Sequence, residues 1–360
     1  MSAQQQVIVL GGGYAGTLAA NRLAPHAAVT VVNPRPEFVQ RIRLHQLVAG
    51  THDATVDLGR MLADGVRLVV DEAVRIDAAA RRVELVGQTL DYDHLVYAVG
   101  SGVTVPEHAY SVAELEDAQK LRVALGAGPV TIVGGGLTGV ETAAELAEQG
   151  HPVTLVGALA PSLSENGRGR VAARLRGLGV TLLVGHVDDV RPGEVVVDGV
   201  PRPSAVTIWT AGFGVPQLAA RSGLRTDEPG RLLTDETLTS LDDDRIVAAG
   251  DSAAPSGRPL RMSCQAALPL AQHAADTVLA RIAGTEPGVI DPAFVGQCVS
   301  LGRHAGAIQV ARRDDTPTDT VIGGRPAAWI KEAVCRSTVW AVRRGASPTL
   351  KGGYRKTLVP

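Results

Sequence analysis

A glycine-rich pattern occurs twice in this sequence and constrains the fold more than any other feature. The stretch VIVLGGGYAG begins at Val7 and VTIVGGGLTG begins at Val130, so Gly11 and Gly134 are 123 residues apart (134 minus 11). Each copy follows a short apolar run, precedes a helical pattern, and is followed by a second apolar run, AVTVVN or PVTLV. This order predicts a strand, a glycine turn, a helix and a returning strand, which is a βαβ unit.

Each glycine of the pattern G-x-G-x-x-G has a physical reason. The first allows a tight turn, the second lets the backbone approach a pyrophosphate, and the third lets the helix pack closely on the strand. The N terminus of the helix then offers free N–H groups to the phosphates. The predicted sites comprise Gly11, Gly13, Tyr14, Ala15 and Gly16 in the first copy and Gly134, Gly136, Leu137, Thr138 and Gly139 in the second. The chain is therefore predicted to bind two dinucleotides.

The acidic residue that normally binds the ribose at the end of the second strand is absent from both copies. Asn33 takes its place in the first copy, before Pro34 and Arg35, and an amide oxygen can still accept a hydrogen bond from a ribose hydroxyl. In the second copy Gly157 or the following alanine stands there, so nothing repels a 2′-phosphate. These residues do not separate NADH from NADPH.

The order of the remaining patterns predicts the domain organisation. Strand and helix patterns alternate through most of the 360 residues, which indicates an α/β protein. The run RIVAAGD at 245–251 is predicted to return to the first unit, so that the second Rossmann-like domain is inserted into the first. The predicted boundaries are 1–105 with 236–290 for the first domain, 106–235 for the second, and 291–360 for a small C-terminal α+β segment.

Composition excludes several classes of function. A net charge of -2 and 3% aromatic residues argue against nucleic-acid binding. The three cysteines, at 264, 298 and 335, form no CxxC pair, so neither a zinc site nor any other metal site is predicted. The sequence shows no signal-peptide pattern and no apolar run of about 18 residues, and a cytoplasmic location is expected.

Five further stretches carry a resemblance to a known family: YDHLVYAVGS, RIVAAGDSA, IWTAGF, VQRIRLHQL and GGGLTGVE. From about Val7 to Ala311 the chain resembles the two-dinucleotide flavoproteins of the pyridine nucleotide-disulfide oxidoreductase superfamily. Within that superfamily it is most similar to type II NADH dehydrogenases and apoptosis-inducing-factor-like reductases. The resemblance implies that the first unit binds FAD and the second binds NAD(P)H.

The same resemblance assigns roles to individual residues. It implies that Asp251 bonds the ribityl or phosphate region of FAD, that Arg41 approaches the FAD, and that Gln46 lies near flavin N5. It places Glu141 near the nicotinamide. For Asp251 the alternative is a helix cap, and for Glu141 a solvated or dipole-satisfying position. The remaining predicted cofactor residues are Val74, Gly100, Gly212 and Gln265, and His45 and Gln265 are alternatively packing residues.

Departures from the family pattern narrow the expected reaction. No cysteine precedes Cys264, which excludes the disulfide reductases, and Pro269 and Leu270 replace polar residues that line a quinone site in type II NADH dehydrogenases. We expect hydride transfer from NAD(P)H to flavin N5 and then electron transfer to a quinone-like or other small acceptor. The alternatives are a ferredoxin-type reductase with a protein carrier, and a nicotinamide-responsive flavoprotein with little turnover.

The C-terminal stretch is basic, with eight Lys or Arg and one Glu between residues 325 and 360. Helical spacing aligns one apolar face, formed by Trp329, Ile330, Ala333, Val334, Trp340 and Ala341. Such a helix either lies peripherally on an anionic membrane at its inner face or docks on the protein's own core or on a homodimer partner.

Overall fold

The computed structural model describes residues 4–256, 260–291 and 293–346. The first stretch of the chain forms one glycine-turn unit with its flanking strands. Its elements are β1 (Gln6–Leu10), α1 (Tyr14–Leu23), β2 (Ala28–Asn33), β3 (Glu37–Val39), a 3-10 turn (Arg41–Arg43), α2 (Leu44–Val48), β4 (Thr55–Asp57), β5 (Arg67–Val70), β6 (Ala73–Asp77), β7 (Arg82–Leu85), β8 (Thr89–Asp91) and β9 (His94–Tyr97).

The second glycine turn lies in the next stretch. Its elements are β10 (Gly102–Val103), β11 (Ala109–Ser111), α3 (Leu115–Ala124), β12 (Val130–Val133), α4 (Leu137–Glu148), β13 (Val153–Val156), α5 (Glu165–Gly177), β14 (Thr181–Leu183), β15 (Val187–Arg191), β16 (Glu194–Val197), β17 (Val200–Pro203), β18 (Val206–Trp209) and β19 (Phe213–Gly214).

The chain then returns to the first unit and ends in a separate layer. The elements are α6 (Leu218–Arg221), β20 (Leu232–Thr234), β21 (Ile246–Ala248), a 3-10 turn (Gly250–Ser252), β22 (Ala253–Pro255), α7 (Cys264–Ile282), β23 (Gly296–Ser300), β24 (Gly306–Ala311), β25 (Pro317–Gly323) and α8 (Gly324–Arg343).

Two parallel five-stranded sheets organise the molecule. The first has the order β21-β9-β1-β2-β5 and the second the order β11-β18-β12-β13-β14. Because β21 follows the whole second sheet in the chain but lies at the edge of the first, the second unit is inserted into the first. The predicted fold class, two Rossmann-like sheets with this insertion, is confirmed, whereas the domain boundaries stay a prediction.

Burial of both faces explains why the central strands are apolar without alternation. On β1, Val7 and Val9 pack with α1 and α7 in one core cluster. Ile8 and Leu10 pack into another cluster on the opposite face, beneath the antiparallel strands β6 to β8. The parallel register pairs Leu10 with Val32 on β2, so the glycine turn begins where both strands end.

The C-terminal segment consists of the antiparallel strands β23 to β25 and the long helix α8. The helix packs on α1 and on β24, and it buries Ala327, Cys335 and Thr338. None of the helices in the described ranges combines the length and hydropathy that a membrane span requires.

Of the alternatives for this helix, the docking of its apolar face on the protein's own core is wrong. Trp329 is 74% exposed and Trp340 55% exposed, whereas Ala341 of the same predicted face is buried. The small residues pack inward because they allow the helix to approach its neighbours closely, which leaves the two indoles outside. Residues 347–360 of the basic stretch lie outside the described residues.

Candidate active site

The first glycine turn has the geometry of a phosphate cradle. Gly11 has a φ of +102°, and a methyl group added to it would lie 2.3 Å from the carbonyl oxygen of Ala98. A methyl group on Gly16 would lie 1.8 Å from the carbonyl oxygen of Gly11, whereas one on Gly13 would meet no atom within 4 Å. The first and third glycines therefore serve close packing, and the second faces open space where a pyrophosphate fits.

The second glycine turn repeats this arrangement. Gly134 has a φ of +111°, and an added methyl group would lie 2.7 Å from Oγ1 of Thr210. A methyl group on Gly139 would lie 1.9 Å from the carbonyl oxygen of Gly134, and Gly136 again faces open space. Leu137 begins α4 at this turn, and its neighbour Thr138 is the second residue of the helix. The residues present fit a second dinucleotide.

The side-chain amide of Asn33 forms hydrogen bonds with the backbone of the protein. Its Oδ1 accepts a hydrogen bond of 2.8 Å from the N–H of Gly12, and its Nδ2 donates one of 2.6 Å to the carbonyl of Arg35. One lone pair of Oδ1 is left for a ribose hydroxyl, because an amide oxygen accepts two hydrogen bonds. The guanidinium of Arg35, beyond Pro34, forms two hydrogen bonds of 2.9 Å with Glu116 at the start of α3.

Hydrogen bonds link Arg41, Ser101 and Asp251, which are far apart in the sequence. Arg41 donates a hydrogen bond of 2.6 Å to the carbonyl of Ser101, and a methyl group on Gly100 would lie 3.4 Å from Nη1 of Arg41. The hydroxyl of Ser101 donates to Oδ2 of Asp251 at 2.7 Å. Arg41 also lies 3.5 Å from Glu114. The sequence predicted Arg41, Gly100 and Asp251, but neither Ser101 nor Glu114 carried a motif that would have identified it.

Glu141 is buried in an ion pair that the sequence did not predict. Its Oε1 lies 3.0 Å from Nζ of Lys331 on α8 and accepts a hydrogen bond of 2.8 Å from the N–H of Ser300. Burial raises the pKa of Glu141, but Lys331, His45 and Ser300 outweigh it, so the pKa lies below its ordinary value. Burial lowers the pKa of Lys331, but Glu141 outweighs it and the pKa is raised. The carboxylate and the ammonium are both charged at neutral pH.

Gln46 lies beside a second ion pair, in which the arginine is buried and the glutamate is partly exposed. Its Oε1 accepts a hydrogen bond of 2.9 Å from Nη1 of Arg43, and Arg43 binds both oxygens of Glu332 at 3.0 and 2.8 Å. The side chain of Arg43 is only 2% exposed. Lys331 and Glu332 are neighbours on α8, so this helix is tied to α4 of the second unit and to the 3-10 turn of the first unit by successive residues.

The Lys331 ammonium acts electrostatically on all three cysteine thiols. All three are free thiols, and the pKa of each is raised by burial and lowered in part by the Lys331 ammonium. The pKa of Cys264 reaches about 11. Thiols that remain protonated at neutral pH are poor nucleophiles, so this cluster lacks the character of a redox dithiol.

The other predicted cofactor residues lie at the edges of these two turns or apart from them. Tyr14 is buried and packs edge to face on Phe38, and its Oη has no hydrogen-bond partner within the described ranges. A methyl group on Gly250 would lie 3.0 Å from the side chain of Ala15. Gln265, on the first turn of α7, accepts a 3.5 Å hydrogen bond from Arg261.

Three predicted positions remain. Gly157, with a φ of +125°, directly follows β13, so it lies beside the second glycine turn, and a methyl group on it would lie 3.2 Å from the amide nitrogen of Gly135. Gly212 follows β18 with a φ of +72°. Val74 is 44% exposed on β6. No group of metal-ligating side chains occurs among the residues that the structure describes.

The comparisons with known proteins agree with this geometry. A family model described as pyridine nucleotide-disulphide oxidoreductase matches residues 5–277. An NADH dehydrogenase-like protein of Mycobacterium tuberculosis is 30% identical over 76% of this chain and 80% of its own length. A type II NADH:quinone oxidoreductase of Staphylococcus haemolyticus is 26% identical over 94% of this chain and 96% of its own length.

A solved structure gives the same fold. NDH2 of Plasmodium falciparum, in complex with NADH, has a TM-score of 0.80 at 16% identity, over 95% of this chain and 96% of that chain. The family match covers both glycine turns and Asp251, which are the positions where the structure has the two cradles and the contact with Ser101. The chain therefore belongs to the pyridine nucleotide-disulphide oxidoreductase family, as an FAD-dependent NAD(P)H oxidoreductase close to the type II NADH dehydrogenases.

Proposed function

We propose that this protein oxidises NAD(P)H and passes the electrons by way of its flavin to a quinone-like small molecule. The observation that carries the proposal is the pair of glycine turns, in each of which the first and third glycines are closely packed and the second faces open space. Two such turns in one chain suit one dinucleotide that donates a hydride and one that relays the electrons. The similarity to a type II NADH:quinone oxidoreductase supports the proposed acceptor.

The residues of the chain contribute binding and alignment. The free N–H groups of the two glycine turns would hold the pyrophosphates of FAD and NAD(P)H. Asp251, oriented by Ser101, and Arg41 would hold the FAD, and Glu141, fixed by Lys331 and by Ser300, would lie toward the nicotinamide. FAD, when bound, supplies the ring that takes hydride from the nicotinamide and returns electrons to the acceptor. Fixed alignment of the two rings would lower the barrier to hydride transfer.

The thiols take no part in the proposed reaction. Cys264, Cys298 and Cys335 all have raised pKa values, because burial disfavours the thiolate. We therefore expect electrons to pass to the acceptor without a redox disulfide.

Anaerobic mixing of the purified protein with NADH or NADPH tests this proposal. We expect either nicotinamide to bleach the flavin absorbance at roughly 450 nm, because bleaching accompanies reduction of a flavin. We expect a soluble quinone to restore it. Restoration only by a ferredoxin, with a rate that falls steeply as salt is added, would instead support a protein carrier. Bleaching with no reoxidation by any acceptor would contradict the proposed turnover.

We also propose that the exposed face of α8 contacts a membrane surface, the natural location of a lipid quinone. Trp329 and Trp340 are exposed on this face, and Arg344 lies with its guanidinium 4.5 Å from the ring centre of Trp340. Indoles beside cations are typical of helices that lie in the interface of an anionic bilayer. We expect the protein to sediment with anionic vesicles. The double variant Trp329→Ser with Trp340→Ser should no longer sediment with them. Val123→Ser, at an 88% exposed site on α3, is the matched control.

A further inference from the structure

The same backbone hydrogen bond marks the end of the second strand in both glycine-turn units. In the first unit the N–H of Gly11 donates to the carbonyl of Val32 at 2.8 Å. In the second the N–H of Gly134 donates to the carbonyl of Val156 at 2.9 Å. The residue after each of these carbonyls therefore has the same position in its unit. In dinucleotide-binding folds this ribose position carries the side chain that binds the adenosine ribose.

The first unit has a side chain at the ribose position and the second has none. Asn33 occupies it in the first unit, and its Oδ1 accepts a hydrogen bond of 2.8 Å from the N–H of Gly12. In the second unit Gly157 corresponds to Asn33, and Gly135 corresponds to Gly12. A methyl group on Gly157 would lie 3.2 Å from the amide nitrogen of Gly135. The space beside this nitrogen is therefore the space that the missing side chain would fill.

The N–H of Gly135 is left without the partner that its counterpart has. The residue is buried, yet no group in the described part of the chain accepts a hydrogen bond from this N–H. Buried backbone N–H groups are almost always paired in native proteins, with protein groups or with water. Because this donor lies beside the ribose position, a dinucleotide that binds there can supply the acceptor.

The backbone keeps an acidic side chain out of the ribose position of the second unit. Gly157 has a φ of +125°, where residues other than glycine are strained. The segment that follows is fixed, since Ser162 forms a hydrogen bond of 2.7 Å with the buried side chain of Gln297. Ser164 forms one of the same length, 2.7 Å, with the buried side chain of Gln309. The ribose position therefore presents a free donor where a carboxylate would repel a 2′-phosphate.

We propose that the second glycine turn binds NADPH as well as NADH, with the 2′-phosphate accepting a hydrogen bond from the N–H of Gly135. The inference rests on the function proposed above and names the class of dinucleotide that donates the hydride. A hydrogen bond to a charged oxygen is roughly twice as strong as one between neutral groups. This gain opposes the cost of removing water from the phosphate, so the two dinucleotides bind with similar affinity.

Isothermal titration calorimetry of the flavin-loaded protein measures this affinity. ADP-ribose and 2′-phospho-ADP-ribose are the probes, because they carry the adenosine ends of NADH and NADPH but no nicotinamide that could reduce the flavin. We expect the phosphorylated probe to bind at least as tightly as ADP-ribose or within about 5-fold of it, since one hydrogen bond is worth roughly that factor. A preference for ADP-ribose of more than about 5-fold would overturn the inference.

Gly157→Asp and Gly157→Ala form a matched pair of variants. Both carry the same backbone strain, and only the first adds a charge at the ribose position. We expect Gly157→Asp to weaken 2′-phospho-ADP-ribose by at least about tenfold relative to ADP-ribose, because like charges side by side are costly. Gly157→Ala should change both dissociation constants by the same factor. An unchanged ratio in Gly157→Asp would contradict a 2′-phosphate beside Gly135, and the wild-type titration decides the inference if the variants do not fold.

Flavin absorbance distinguishes a failure of this inference from a failure of the proposed function. We expect both NADH and NADPH to bleach the flavin of the wild-type protein. Bleaching by NADH alone would overturn the inference and leave the proposed function intact. Bleaching by neither dinucleotide would overturn the proposed function and with it the role of NADPH as a substrate.

Discussion

Lys331→Met tests the most consequential contact in the structure, the buried ion pair between α8 and α4. The substitution keeps an unbranched side chain, one atom shorter, but leaves the Glu141 carboxylate, itself only 9% exposed, without its cation. Removal of one partner from a buried pair costs about 3–5 kcal/mol because an uncompensated charge stays in the interior. The N–H of Ser300 still donates to that carboxylate and partly offsets this cost.

The sign of the pH dependence follows from the pKa of Glu141. In the wild type this pKa is lowered below 4.5, so the pair stabilises the fold above the unfolded pKa, and the stabilisation is lost as the pH falls through the folded pKa. Without Lys331, burial dominates and raises the folded pKa, so the variant loses stability as the pH rises above the unfolded pKa. The difference in stability between wild type and variant should therefore be small near pH 4 and full, about 3–5 kcal/mol, near pH 7.

Urea unfolding, followed by circular dichroism at several pH values, measures this difference. The double variant Lys331→Met with Glu141→Gln removes both charges and keeps an acceptor for Ser300, so it should regain most of the lost stability. A loss of stability in Lys331→Met that is independent of pH, or that persists in the double variant, would refute the assignment of the cost to a buried uncompensated carboxylate.

Three further outcomes are expected. Gly16→Ala should prevent FAD retention and lower stability because its methyl group would meet the carbonyl of Gly11 at 1.8 Å, whereas Gly13→Ala should fold and only weaken FAD binding, as flavin absorbance per protein measures. Glu332→Gln should destabilise the protein at pH 7 by about 2–3 kcal/mol, since a charged hydrogen bond to buried Arg43 is lost. The pKa of Glu332 is depressed to about 2. The difference in stability between the wild type and Glu332→Gln, measured by urea unfolding, should therefore shrink as the pH falls from 4.5 toward 2. Cys264→Ser should leave quinone reduction unchanged in steady-state assays, because the thiol has a raised pKa.

The candidate site was only partly predictable from the sequence. Gly11 and Asp251 belong to local motifs, and the structure has a glycine turn at both predicted places, whereas the cofactor contacts of these residues stay a prediction. No sequence motif predicted that Lys331 is buried, since a lysine in a basic amphipathic stretch ordinarily faces solvent. Its burial depends on the position of α8 over α4, which many distant contacts fix together.

The local sequence and the tertiary structure determine different features of this protein. The sequence by itself determined the two glycine turns and the α/β class, because a tight turn, a helix start and an unbroken apolar strand are decided by neighbouring residues. Only the tertiary structure decided that α8 buries its small residues and exposes Trp329, and that Glu141 meets Lys331. Those outcomes depend on which surfaces lie opposite one another, and 190 residues of chain separate the ion-paired partners (331 minus 141).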